Sequence, residues 1–418
     1  YENLFKLLIS IYFLFIYSFY IILIMQNGYI NNPLMANTIL RRSSIPANVM
    51  NSDMMQQFMA GTVNGLPTPQ LPQGSIINGC NKRNEVYRYT SDHPLYSIGM
   101  SNKDKIRICI GSIHLNKENF HKNKLQIVDI NDESNKFELK DTIDHEYPST
   151  KVLFSPESLH QNELLCSTSD GLNLYKVNDD GKISLIGKLH SKLNTEYKGP
   201  YTSMDWNRVD PTLVGVSSTD TTCVIWQIET GQVVGTTSSI GSVHKQLIAH
   251  DKSVNDFAFG PYNVGKDTFV SAGSDSSIRL FDVRDLKSST ILYEEPSKLP
   301  LVRVQWNPTN ENYLATLAAN SNRISIIDIR KPCTLMKKCE NILSNINAIA
   351  WSQSSKWNIC SGGGDKQALI WQLKEDSSDG ISWRTYSAEG EICNIFWGTK
   401  HSDWICIAFD KSFEILHV

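Results

Sequence analysis

From residue 85 onward the chain repeats one pattern, and a long-period internal repeat decides a fold before any single element is read. Each unit has a short apolar strand ending in an aromatic residue, a polar loop, and a second apolar strand rich in small residues. A tight turn carrying Asp and a third strand ending in an aromatic residue complete it. The clearest copy runs Val254 to Phe259, then Phe269 to Ser274, the turn acid Asp275, and a third strand ending at Phe281-Asp282. Thr202 to Trp206 leads in the same way to Asp220 and Cys223 to Trp226, and Ile346 to Trp351 leads to Asp365 and Ala368 to Trp371. Weaker copies contain Val152 to Phe154 with Asp170 and Leu172 to Tyr175, and Val304 to Trp306 with Asn320 and Ile324 to Ile327. At the ends, Tyr96 to Met100 precedes Leu125 to Val128, and Ile395 to Trp397 precedes Asp410 and Phe413 to Leu416.

Third-strand anchors at Val128, Tyr175, Trp226, Phe281, Ile327, Trp371 and Leu416 stand 47, 51, 55, 46, 44 and 45 residues apart. That spacing resembles WD repeats, with four strands per blade, and predicts an all-β, seven-bladed propeller over residues 81–418. Alternating apolar and polar residues in the third strands, as in Ile278-Arg279-Leu280, fit sheets packed face to face around an axis. The chain stops two residues after the seventh third strand, leaving that blade without an outer strand. An unpaired edge is a liability in a closed ring, so the strand-like Glu85 to Thr90 is expected to pair there and latch it.

Residues before the repeats read differently. Residues 1–25 include the uncharged apolar run Leu7 to Met25, about long enough to cross a bilayer as a helix. The run is almost wholly Ile, Leu, Phe and Tyr and begins without Met, so it is read as translated non-coding sequence upstream of a start at Met25, with a signal anchor as the alternative. Residues 26–80, rich in Asn, Gln, Met, Pro and Ser, show no period and are expected to be a disordered leader.

Charge and chemistry motifs narrow the function. A net charge of −3 without a long run of either sign gives no footprint for nucleic acid or membrane surface. Nine cysteines without a Cys-x-x-Cys pair read as small buried hydrophobes of a reducing compartment. Asp170, Asp220, Asp275, Asp365 and Asp410 sit at one place in the repeat, where a carboxylate accepts backbone N–H groups and tightens a turn, so they are structural rather than catalytic. WD repeats extend that turn into a network with a Ser or Thr, a His near the blade start and a strand-end Trp. Only His250, Ser271 and Asp275 look complete here, with Phe281 in place of the Trp. Ser361 to Lys366 lacks phosphate-loop spacing, and no hydrolase or kinase motif set occurs. No cofactor, metal site or enzymatic activity is expected.

Asp282-Val283-Arg284 and Ile327-Asp328-Ile329-Arg330 end two consecutive blades with the same Asp-x-Arg. The pattern resembles the box through which WD-repeat substrate receptors dock on the adaptor of cullin-4 ubiquitin ligases; the other reading is that Arg284 and Arg330 pair with nearby acids. Segments such as Lys82 to Tyr89, Tyr147 to Lys151, His250 to Val254, Asn312 to Thr316, Gln367 to Trp371 and Ala388 to Ile392 resemble the transparent testa glabra and WD repeat-containing protein 68 family of cullin-4-associated factors. The resemblance implies a nuclear and cytoplasmic scaffold that assembles a DYRK-like protein kinase with transcription factors, or alternatively a cullin-4 substrate receptor; a monomer is expected. The loops Leu115 to Lys122 and Thr230 to Lys245 depart from it.

Overall fold

A computed structural model describes residues 86–418, apart from 115–122, 132–133, 135, 157–162, 191–198, 229–240, 263–266, 342 and 375–378. The readings of residues 1–25 and 26–80, and Glu85 and Cys80, lie outside the described residues. Among those described, every regular element is a strand.

The strands form seven antiparallel four-stranded sheets, the blades of one propeller. Blade 1 holds β2 (Leu95–Met100), β3 (Arg107–Ser112), β4 (Asn123–Asn131) and β5 (Lys136–His145). Blade 2 holds β6 (Lys151–Phe154), β7 (Glu163–Thr168), β8 (Leu172–Val177) and β9 (Ile183–Leu189), and blade 3 β10 (Tyr201–Trp206), β11 (Leu213–Ser218), β12 (Thr222–Ile228) and β13 (Gly241–Ile248). Blade 4 has β14 (Val254–Phe259), β15 (Thr268–Gly273), β16 (Ser277–Asp282) and β17 (Asp285–Glu294), and blade 5 β18 (Leu301–Trp306), β19 (Tyr313–Ala318), β20 (Arg323–Asp328) and β21 (Leu335–Glu340). Blade 6 has β22 (Ile346–Trp351), β23 (Asn358–Gly363), β24 (Gln367–Gln372) and β25 (Ile381–Ser387). Blade 7 combines β26 (Ile392–Trp397), β27 (Trp404–Phe409) and β28 (Ser412–His417) with β1 (Val86–Thr90) as its outer strand.

The expected latch is therefore present. Val86 pairs with Leu416 and Thr90 with Ser412, while Tyr89 packs on Phe413 at 5.6 Å between ring centroids. The third strands are packed on both faces, as sheets stacked face to face around an axis require. β28 and β12 are buried along nearly their whole length, because each blade is sandwiched between two others and both its faces become core. Alternation of exposed and partly buried residues is clear in the outer strand β1. Cysteines follow the expectation in part. Cys109, Cys166, Cys223, Cys339, Cys360 and Cys406 are buried and free, but Cys333 is exposed on a loop at φ 60°, where it covers no core.

In six blades the innermost strand carries a one-residue irregularity, at Tyr96, Thr202, Asn255, Val302, Asn347 and Cys393. A bulged residue leaves the ladder and re-aims its side chain. At four of these positions the freed side chain ties one blade to the next. Thr202 Oγ1 donates to the Val254 carbonyl at 2.7 Å, Asn255 Nδ2 to Leu301 at 2.8 Å, and Asn347 Nδ2 to Ile392 at 3.0 Å. Cys393 Sγ donates to the Leu95 carbonyl at 3.5 Å, and Thr150 makes the equivalent bond to Tyr201 at 3.1 Å. Each acceptor is the first residue of the next innermost strand, so one small device is used at five junctions around the ring.

Candidate functional site

Antiparallel pairing sorts the loops onto two faces. Connections from first to second and from third to outer strands share one face, the lower; the turns between second and third strands and the crossings between blades share the upper.

Asp282 ends β16 and Arg284 lies in the turn to β17, while Asp328 ends β20 and Arg330 lies in the loop to β21, so both boxes occupy the lower face on adjacent blades. Their geometry is the same. Arg284 Nε and Nη2 donate to the two Asp282 oxygens at 2.9 and 2.6 Å, and its backbone N–H donates to Asp282 at 2.9 Å. Arg330 Nε and Nη2 donate to Asp328 at 2.9 and 2.6 Å, with the backbone N–H at 3.0 Å. The Arg284 side chain hydrogen bond holds the Asp282 carboxyl below the usual carboxylate range, and the Arg330 bond does the same for Asp328 against the opposing effect of burial. The side chains of Arg284 and Arg330 are nevertheless 71% and 60% exposed, so the pairing fixes each guanidinium without hiding it. The two readings left open by the sequence are thus compatible.

The turn acids lie on the upper face, and they do not behave alike. Asp275 binds His250 Nδ1 at 2.9 Å and accepts the Ser277 and Asp251 backbone N–H groups, while His250 Nε2 meets Ser271 Oγ at 2.8 Å. Burial pushes the Asp275 carboxyl up, but the His250 bond and charge and the Ser277 hydroxyl outweigh it and hold the group well below the usual range. Phe281, standing where a Trp is common, stacks on Phe269 at 5.0 Å instead of donating to Ser271. Asp220 accepts Gly199 N–H at 2.8 Å, and Asp365 accepts Gln367 N–H at 3.2 Å. Asp170 takes the Ser169 hydroxyl at 2.9 Å. Asp410 differs: it occupies the left-handed region itself, at φ 45°, in a two-residue turn. Elsewhere that position falls to the residue after the acid, as at Thr221, Ser276 and Lys366.

Sequence reasoning missed two further networks. In blade 6, Asn341 replaces the His and donates to Asp365 at 2.9 Å, while Trp371 Nε1 donates to Ser361 at 2.8 Å. In blade 2, His145 Nε2 meets Ser167 Oγ at 2.8 Å, its Nδ1 donates to the Tyr147 carbonyl, and burial pushes its pKa down. The signal was a polar residue at the close of an outer strand, a few positions before the next blade.

The innermost strands of all seven blades line a central cavity of about 170 Å³. Arg208 Nη1 donates to Gln353 Oε1 at 3.0 Å, spanning blades 3 and 6 at the lower mouth, and Arg303 Nη2 donates to Tyr96 Oη at 3.3 Å nearer the upper one. Among the described residues no group of three or more His, Cys, Asp or Glu side chains is placed to hold a metal ion.

The family model for the WD domain, G-beta repeat, matches residues 241–282 and 337–372. A DDB1- and CUL4-associated factor 7 homolog of Dictyostelium discoideum is 37% identical over 81% of this chain and 100% of its own length. An uncharacterised WD repeat-containing protein of Schizosaccharomyces pombe is 32% identical over 66% of this chain and 76% of that protein. A WD repeat-containing protein of Saccharomyces cerevisiae is 32% identical over 79% of this chain and 65% of that protein.

Proposed function

This chain belongs to the WD-repeat family of the DDB1- and CUL4-associated factor 7 homologs, and from that premise we propose that it is a non-catalytic docking propeller that joins a cullin-4 ubiquitin ligase through the adaptor DDB1. The observation that carries the reading is the matched pair of Asp-x-Arg forks on adjacent blades, both on the lower face and both exposed. A guanidinium already held by its own carboxylate loses less freedom when a partner binds it, and its remaining N–H donors suit a bidentate acceptor. The test is capture of purified DDB1 by the wild-type chain and by the Arg284→Ala plus Arg330→Ala double variant. Retention by the double variant rejects the docking assignment.

A scaffold joining a DYRK-like kinase to transcription factors is the second reading, with action in nucleus and cytoplasm. It is favoured by the upper face, where Leu299 and Leu343 stand 40% and 72% exposed on the loops that enter blades 5 and 6. Two faces allow two partners at once. Kinase capture that survives the double Arg variant supports this reading, and capture of DDB1 alone rejects it.

A further inference from the structure

The central cavity carries more chemistry than ring closure needs. Five charged side chains line it: Lys151, Arg208 and Arg303, against Asp205 and Asp256. Both acids are built into the wall. Asp256 accepts the Phe257 and Val304 backbone N–H groups at 3.0 and 2.9 Å and the Ser203 hydroxyl at 2.6 Å. Asp205 accepts the Trp206 and Phe259 backbone N–H groups at 3.0 and 2.9 Å, and burial pushes its carboxyl up against the pull of Lys151 and Arg208. Arg208 is placed otherwise. It sits past the end of β10 at the lower mouth, and its hydrogen bond is to a neutral amide, Gln353 Oε1. A guanidinium has five N–H donors in a fork suited to a carboxylate, and a single amide oxygen uses one of them.

Beside that mouth Tyr262, itself part of the cavity lining, is 57% exposed, and Val209 is 40% exposed. Arg208 and Tyr262 follow the innermost strands of adjacent blades, and Arg and Tyr are residue types that dominate protein–protein binding energy. We propose that the lower mouth of the channel receives an acidic segment of a protein partner, whose carboxylate replaces Gln353 on Arg208 while its neighbours lie on Tyr262 and Val209. A free small anion would use the arginine and leave the apolar rim uncovered. The site is separate from the Asp-x-Arg boxes, though it opens on the same face.

The test pans a random decapeptide library against the full chain. Peptides rich in Asp and Glu are expected to be recovered on the wild type, with at least tenfold lower recovery on Arg208→Gln. Gln353→Glu, which supplies the carboxylate from within, is expected to give the same loss and covers the case in which Arg208→Gln folds poorly. Capture of DDB1 by both variants is read in parallel, so the adaptor assignment and this site fail independently. The proposal is overturned if no acidic class is enriched, if recovery survives both substitutions, or if inorganic phosphate displaces the peptides as readily as free peptide does.

Discussion

Arg284 reaches back two residues to Asp282 through a two-pronged fork, and Arg330 repeats the bond on Asp328 one blade further on. Both arginines are largely solvent-exposed, and exposed ion pairs contribute little to stability. The double alanine variant is therefore expected to keep the wild-type thermal midpoint while losing DDB1 capture. A matched drop in both would mean that the forks hold the blades together and dock nothing.

The His250–Asp275–Ser271 network is expected to be structural. Asp275→Asn removes a charged acceptor from a nearly buried histidine and should cost about 1–3 kcal/mol in chemical denaturation at neutral pH. Because the Asp275 carboxyl is depressed in the folded chain, its contribution is present above the unfolded value of about 3.9 and is lost as pH falls through the folded value. The variant should lack that acid-side slope. An unchanged acid profile would show that the network adds nothing to folding.

Glu163 predicts the opposite slope. It lies 2% exposed between blades 1 and 2, accepts the Ser101 hydroxyl at 2.5 Å through Oε1, and leaves Oε2 without a hydrogen bond, 3.9 Å from Arg107 Nη1. Burial raises its pKa more than Ser101, Arg107 and Lys103 lower it. A raised carboxyl favours folding below the unfolded value of about 4.3 and loses that contribution as pH rises through the folded value. Glu163→Gln should flatten the decline in thermal midpoint between acid and neutral pH. A steeper decline in the variant would show that the ionised form is the favoured one.

The bulge-borne bonds between blades should be measurable one at a time. Thr202→Val keeps the shape but leaves the buried Val254 carbonyl without its hydroxyl donor, at an expected cost of about 1–2 kcal/mol. Urea unfolding of the pair reads it directly. A neutral result would assign ring closure to apolar packing alone.

Much of the propeller was legible because its repeat is long and its third strands end in recognisable anchors. The latch followed from counting: six complete blades and a seventh lacking its edge leave one place for Val86 to Thr90. Side-chain bonds across blades were not legible. Thr202, Asn255, Asn347 and Cys393 share a position but not a residue type, because any short side chain with a donor can reach the same carbonyl. Asn341 escaped notice for the same reason, doing with an amide what His250 does with a ring. The Asp-x-Arg boxes were found as a motif, yet only the coordinates show that the arginines are paired and exposed together. Arg208 had no sequence signal, since its meaning comes from Gln353, three blades away.

The pairing of β1 with β28 also sets an order on synthesis. On the ribosome, Tyr87 and Tyr89 emerge among the first residues of the propeller, but the strand they belong to has no strand to pair with until the final blade has been made. Contacts so distant along the chain form slowly, and an unpaired strand is open to other chains meanwhile. Arg88 and Thr90, which face solvent on that strand, give the waiting edge a charge and a hydroxyl rather than an unbroken apolar surface.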